Sequence, residues 1–322
     1  MDLRILGVFI ARRLLGLVVL LLIISLLVFS LIYLAPGNLV DVLLGLGEKS
    51  PEVVAAIRQQ YHLDEPFIVQ YLIWLGNASH FDFGRSIMLN QPVTTAIASR
   101  MSVTLFLAVY GFLVAAVAGL VLGTAAAVKR GTATDRGAVG LAIFGVSAPT
   151  FATGLILLWV FAIQLGWFPV IGAGDADFGD RFWHLTLPAL ALGITGTALM
   201  TKMTRAALID SLEQDYINFA RSRGVGAVRI LFVYGLRNSL IPIVTAAGLV
   251  IATTLTGSVL IEQTFSLQGI GSLLISSINN KDIPVVQGTT MLIAVLVVLV
   301  NLIVDLSYFV IDPRTRMKGA IA

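Results

Sequence analysis

The 322-residue chain has no cysteine, only three histidines and only 12% charged residues. Without cysteine there is no disulfide framework and no thiolate metal site. The three histidines, His62, His80 and His184, are scattered, and no spacing among them suggests the converging ligands that a metal centre needs. They read as ordinary loop residues, and no metal ligand is assigned. No serine–histidine pair shares a membrane depth in a recognisable motif, so intramembrane hydrolysis has no support. Soluble domains carry roughly 25% charged residues. A chain with half that share, 57% hydrophobic residues and a mean hydropathy of +0.94 belongs to the membrane class.

What is present is long apolar runs. A spanning helix needs about 20 mostly apolar residues. Six stretches qualify: Val8–Leu34, Ser102–Val128, Gly137–Leu165, Pro188–Leu208, Ile241–Ile261 and Gly288–Ile311. Pro149 predicts a kink or a break in the third. The first run is too long for a signal peptide and lacks a clean cleavage site, so it reads as a retained helix. With the N-terminus placed in the cytoplasm, 15 of the 21 lysines and arginines fall on cytoplasmic segments, and Asp175, Asp177 and Asp180 cluster outside. The basic bias predicts that both termini are cytoplasmic.

The segment Ala35–Arg100 is too long for a structureless loop. Ser50–Pro51 is a helix-start signal leading into EVVAAIRQQY. Asp64-Glu65-Pro66 starts a second helix through Trp74, and QPVTTAIASR is expected to lie along the membrane interface. The expected organisation is residues 1–34 (N-terminus and first span), 35–101 (an extracytoplasmic helical cap) and 102–322 (a five-helix core). Short cytoplasmic helices lie at about 211–236. GLGEKS at Gly45–Ser50 resembles the end of a phosphate-binding loop. It fails because Glu48 separates Gly47 from Lys49 and no strand precedes it.

The most organised polar stretch is EQDYINFARSRGVG, Glu213–Gly226. Ser211-Leu212-Glu213-Gln214 has the form of a capping box. Glu213 and Asp215 suit a first turn, and Arg221 and Arg223 suit a last turn. Gly224 is a C-terminal stop. Leu212, Tyr216 and Phe219 are spaced to form one apolar stripe. A second short helix is expected over about Ala227–Tyr234, before Pro242 opens the fifth span. Physically the stretch is either an interfacial helix touching anionic lipid or a helix docked in a partner's groove.

Glu213…Ala220…Gly224…Leu240–Pro242 resembles the EAA signature of ABC-importer permeases, with Gln214–Asp215 where the signature has two alanines. HLDEPFIVQY, FDFGRSI, LGWFPVIG, HLTLPALALGI, RNSLIPIVTAAGL, SVLIEQTFS, PVVQG and IDPRTR resemble the first permease subunit of dipeptide, oligopeptide and nickel importers. Two sites depart from that pattern: Pro36-Gly37-Asn38-Leu39 and Leu267-Gln268-Gly269. The resemblance implies an all-α integral membrane protein with six transmembrane helices and the type I ABC-importer permease fold, in a bacterial inner membrane. It implies a transporter subunit rather than an enzyme, forming half of a path for peptides, or for nickel or another small solute.

The implied partners are a second homologous permease in a heterodimer, two ATP-binding subunits or one fused ATPase, and an extracytoplasmic binding protein. No nucleic acid is implied. ATP and Mg would sit on the ATPase subunits and no cofactor on this chain. Leu212, Glu213, Asp215, Tyr216, Phe219, Ala220, Arg221, Arg223 and Gly224 become the ATPase-coupling element. On this reading Gly224→Asp abolishes uptake while leaving membrane insertion intact. A secondary transporter would need inverted repeats and intramembrane ion ligands, and neither is evident.

Polar residues within spans supply candidates for the solute path. Thr253, Thr254, Thr256 and Ser258 make the outer half of the fifth span polar; they either line a path or bond to helices. Glu262 at its outer end is expected to face a vestibule. Asn301 and Gln164 are weaker cases of the same kind. Asp305 is expected to pair with Arg314 or Arg316. Gly119 and Gly123 form a small-xxx-small pattern that predicts close helix packing.

Overall fold

A computed structural model of the chain describes residues 3–34, 50–60, 62–175 and 177–311. The Pro36–Leu39 departure, the Gly45–Lys49 stretch, and Arg314, Arg316 and Lys318 lie outside the described residues. Among the described residues, regular structure is helical, apart from one isolated bridge between Arg85 and Pro92. The helices are α1 (Leu3–Leu34), α2 (Pro51–Gln60), α3 (Phe67–Ser79), α4 (Val93–Val128), α5 (Ala133–Ser147) and α6 (Thr150–Leu157). They continue with α7 (Phe178–Leu212), α8 (Asp215–Ser222), α9 (Ala227–Arg229), α10 (Leu240–Thr264), α11 (Ile270–Asn279) and α12 (Ile283–Ile311). π-Helical stretches extend α6 over Leu158–Gln164 and α9 over Ile230–Leu236.

Among the described residues, spans within α1, α4, α7, α10 and α12 are long and apolar enough to cross a membrane. The pair α5–α6 makes a sixth if counted as one. That pair is broken at Ala148–Pro149, where both residues are extended, and its halves meet at 104°. Proline clashes with a helical conformation of the preceding residue, which is what the extended Ala148 reflects.

Two boundaries differ from the sequence reading. QPVTTAIASR does not form a separate interfacial segment: Val93 to Val128 is one 36-residue helix. Pro92 precedes its first residue, the one place where a missing N–H costs nothing, and no breaker follows before Lys129. Pro188 does not open the fourth span but lies inside α7. That helix starts ten residues earlier because Asp177 accepts from the backbone N–H groups of Gly179 (3.1 Å) and Asp180 (3.3 Å). Ring stacking of Tyr110 on Phe182, 4.6 Å between centroids, holds the added turns. His184 is therefore a helical residue rather than a loop residue, with Nδ1 2.9 Å from the Asp180 carbonyl.

The chain divides into two compact units. The first comprises Leu105–Leu267 with the described parts of Met1–Phe9 and Leu299–Ala322; the second comprises Ile10–Thr104 and Gln268–Val298. In the first, Ala115, Met200, Ile243, Ala246 and Val250 form a buried core. Small residues set its helix spacing. A Cβ on Gly119 would stand 2.2 Å from Met200 Cβ, and one on Gly123 would stand 2.7 Å from Thr204 Cβ. The small-xxx-small pattern is thus the seam between α4 and α7, where backbones approach closely. Gly248 lets α10 approach α12 in the same way, since its Cβ would lie 2.3 Å from Val304 Cγ2.

In the second unit, Val93, Ala96, Ile97, Ile270, Leu273 and Val285 form the core. Phe29 lies amid the rings of Tyr33, Phe67, Tyr71 and Trp74, with centroids 5.4 to 5.9 Å apart. The buried Asp282 carboxylate accepts from Ser86 Oγ and from the backbone N–H groups of Ile87 and Met88, both at 3.2 Å. One acid thereby satisfies three donors of a loop that has no sheet or helix to use them.

Candidate coupling surface and solute path

The polar stretch folds as α8, but not by the capping expected. α7 runs through Leu212, so Ser211 is helical and its hydroxyl lies 3.2 Å from both the Gly235 carbonyl and the Tyr216 hydroxyl. No capping box forms at Ser211. Glu213 is the C-cap of α7, not a first-turn residue of α8, and its carboxylate is ion-paired with Arg130. Gln214 precedes α8, and Asp215 occupies its first turn.

The expected stripe is also redistributed. Leu212 belongs to α7, while Tyr216 and Phe219 are exposed, the latter by 59%. The inward anchors are Ile217, fully buried, and Ala220. The two aromatic rings are therefore presented outward. Arg223 stacks over Phe219 at 4.4 Å, holding a cation and a ring together on that surface.

The end of α8 is as the sequence predicts. Gly224 has φ +76°, its N–H donates to the Arg221 carbonyl (2.9 Å), and Val225 N–H donates to the Ala220 carbonyl (3.1 Å). This pair of bonds is the Schellman arrangement, which needs a residue in the left-handed region.

Side-chain bonds tie α8 and α7 to the residues that lead into α10. Asn238 donates to the Tyr216 hydroxyl at 3.0 Å, and Ser239 donates to the Ala207 carbonyl at 3.0 Å. Gly235 brings the π-helical stretch close to α7, where a Cβ would stand 3.0 Å from Leu208 Cδ1. The C-terminal end of α7, α8, the Ile230–Leu236 stretch and the start of α10 are thus one connected block.

The α4–α5 loop joins the same block. Arg205 makes a two-point contact with Asp135, Nε to Oδ1 at 2.6 Å and the second nitrogen to Oδ2 at 2.9 Å, and Gly131 N–H donates to Asp135 at 2.9 Å. Asp135 is nearly buried. Removing one partner of such a pair leaves a charge uncompensated. Arg205→Met is expected to lower the Tm of the solubilised protein by roughly 5 °C, and adding Asp135→Asn should restore part of it. An unchanged Tm in the single variant would show that the pair does not brace the loop.

Sequence reasoning missed Ile217, Asn238, Arg130 and the Asp135–Arg205 pair. Ile217 and Ala220 carry a detectable signal, an i, i+3 pair of small or apolar residues. The others carry none, because their partners are 22 to 83 residues away.

The candidate path residues separate into two groups. Thr253, Thr256 and Asn301 are exposed. Thr254, Ser258 and Glu262 are buried, so Glu262 does not face a vestibule within this chain. The hydroxyls of Thr253, Thr254, Thr256 and Ser258 all donate to carbonyls of their own helix. The Tyr308 hydroxyl lies 2.8 Å from Thr245 Oγ1, and Gly248 meets Val304, so α10 and α12 run antiparallel in contact. This register brings Asn301 to about the level of Thr253. Asp305 is buried, and both arginines expected to pair with it lie outside the described residues.

Residues 119–317 match the family described as "Binding-protein-dependent transport system inner membrane component", and residues 6–108 match its N-terminal counterpart. The glutathione transport system permease protein GsiC of Salmonella typhi is 38% identical over 310 residues, 96% of this chain and 99% of that protein. GsiC of Escherichia coli K12 shows the same identity and coverage. Among solved structures, the inward-facing MetNI methionine ABC transporter in its CY5 native crystal form aligns with a TM-score of 0.55 and 16% identity. That alignment covers 68% of this chain and 97% of the other.

Proposed function

Because the chain belongs to the inner membrane components of binding-protein-dependent transport systems, we propose that it forms half of a peptide path driven by ATPase subunits docked on α8. Its standing as a multi-pass ABC-importer permease of the type I fold, and not an enzyme, follows from the family; ATP hydrolysis belongs to partner subunits. Membership implies ATPase subunits, a binding protein and a second permease. We read the second permease as a homologue, the two together supplying twelve core helices, with both termini cytoplasmic and with ATP and Mg on the ATPases.

One observation carries the coupling reading. α8 presents Tyr216, Phe219 and Arg223 outward while Ile217, Ala220 and the Tyr216 hydroxyl bind it into the block formed with α7 and α10. An exposed aromatic–arginine patch suits the anchors found at the centre of protein interfaces. A helix fixed on its inner side transmits a push rather than absorbing it. ATP-driven closure of the ATPases would move α8, and with it α7 and α10, between two arrangements of the path.

The peptide reading rests on the relatives and on the exposed groups. GsiC is named for glutathione, a tripeptide. Thr253, Thr256 and Asn301 are neutral hydrogen-bonding groups on span surfaces. An exposed amide in mid-span is costly against hydrocarbon, so this face belongs against water or a second permease.

The cysteine-free sequence makes the test direct. Single-cysteine variants Phe219→Cys, Asn301→Cys and Thr254→Cys are made in the complete importer. Phe219→Cys is expected to cross-link to an ATPase subunit in a nucleotide-dependent way. Asn301→Cys should react with a hydrophilic thiol reagent at least tenfold faster than the buried Thr254→Cys. Failure of Phe219→Cys to cross-link to any ATPase would remove the docking role from α8. Equal reactivity at 301 and 254 would remove the path assignment.

A further inference from the structure

Two adjoining hollows in the first unit are not accounted for by the coupling or path readings, although Leu212, Glu213 and Arg221 of the implied coupling element line one of them. One, of about 730 Å³, is bounded by the Arg130–Glu213 ion pair, by Arg221 and by the apolar side chains of Leu212, Val228 and Leu231. The other, of about 540 Å³, runs between α4 and the π-helical stretch, from Leu120 and Val121 to Val128 on one side and from Leu231 to Leu236 on the other. Val128 and Leu231 border both, so the two adjoin at these side chains. Lys129 stands beside the second.

The chemistry changes along this groove. Its mouth holds Lys129, Arg130 and Arg221 against the single carboxylate of Glu213, an excess of two positive charges. Its floor is almost wholly apolar and follows α4 for about 12 Å of rise, Leu120 to Val128. Those residues are the last nine of the 36-residue α4, an apolar helix longer than a membrane crossing needs. Val228 and Phe232, beside the groove, are 71% and 61% exposed. A basic mouth over an apolar channel matches an anionic amphiphile, headgroup outward and acyl chain along α4.

We propose that this groove is a binding site for one anionic phospholipid per copy of the chain. The phosphate contacts Arg221 and the free edge of Arg130, and one acyl chain fills the space between Val121 and Leu231. The lipid then wedges α4 against the stretch that follows α8. The alternative occupant, an ATPase loop, accounts for the charged mouth but not for the apolar channel beyond it.

The importer complex, purified with its ATPases and delipidated in detergent, is titrated with dioleoylphosphatidylglycerol or dioleoylphosphatidylcholine and read by native mass spectrometry. The expected result is one phosphatidylglycerol retained per copy of this chain, at least tenfold more tightly than phosphatidylcholine. Glycerol 3-phosphate alone should not be retained, since it lacks the chain that fills the channel. Arg130→Gln with Arg221→Gln should reduce phosphatidylglycerol to the phosphatidylcholine level, and the two lysine replacements should keep the preference. Ala125→Phe, which narrows the channel without touching charge, should weaken retention of phosphatidylglycerol at least fivefold. Equal retention of the two lipids would overturn the proposal, as would unchanged binding in both the arginine and Ala125 variants. Retention only after the ATPases are stripped away would also overturn it, assigning the groove to the subunit interface.

Discussion

A Gly224→Val importer is expected to reach the membrane at normal levels and to lose at least nine-tenths of its uptake. The reason is conformational. Gly224 sits at φ +76°, and no heavy atom lies within 4 Å of where a Cβ would be. A substitution there meets no clash and is resisted only by the backbone. Forcing a β-branched residue into the left-handed region costs about 1–3 kcal/mol, comparable to what an eight-residue helix has to spare. The two Schellman bonds would open and α8 would lose its fixed end. Gly224→Asn, which accepts the left-handed region more readily, should keep most of the transport. Gly224→Asp would add an unfavourable charge at a helix C-terminus to the same backbone effect, so valine isolates the conformational part. Solute uptake by cells, normalised to membrane-inserted subunit, is the measurement. Wild-type uptake by the valine variant would show that the termination of α8 is irrelevant to coupling.

Gly119→Leu should have the largest effect on the fold itself. The new Cβ would stand 2.2 Å from Met200 Cβ and 3.2 Å from the Thr197 carbonyl oxygen. Both atoms are fixed to the α7 backbone, so no side-chain rotation relieves the contact and the helices must separate. Overpacking typically costs 1–3 kcal/mol and occasionally more. Here the displaced seam also carries Gly123 against Thr204. The expected result is little or no folded subunit in the membrane, and a Tm at least roughly 8 °C lower for what can be purified. Gly140→Leu, on α5 with open space around it, should fold normally. Normal accumulation and Tm for Gly119→Leu would mean that α4 and α7 are not held at this spacing.

These two glycines mark what a sequence makes plain. Each stands in a context that only glycine explains: Gly224 after a polar helix, and Gly119 with Gly123 at one-turn spacing in an apolar run. Spans were legible for a similar reason, since hydrocarbon demands long uninterrupted apolar helices. Boundaries set by long-range partners were not. Pro188 reads as a helix start, yet the Asp177 cap and the packing of Phe182 on Tyr110 extend α7 beyond it. Ser211 has the neighbours of a capping box, yet α7 continues through it and its hydroxyl turns to Gly235, 24 residues on. Thr254 and Thr256 look equivalent in the sequence; packing buries one and exposes the other. Local chemistry proposes an element, and partners distant along the chain decide where it ends and which face it shows.

The Asp282 clasp has a consequence for the order in which the protein is made. Its donors, Ser86, Ile87 and Met88, emerge from the ribosome 194 to 196 residues before the carboxylate that secures them. At the usual pace of synthesis that interval is roughly 10–40 s. Throughout it the loop before α4 has its N–H groups committed to solvent, and the second unit has neither α11 nor α12 to close its core. Translation of roughly the last sixth of the chain is therefore the step that closes the clasp on a loop made long before it. A ribosome that stalls before residue 282 leaves behind a subunit whose clasp is open, with Ser86, Ile87 and Met88 lacking the acceptor that secures them.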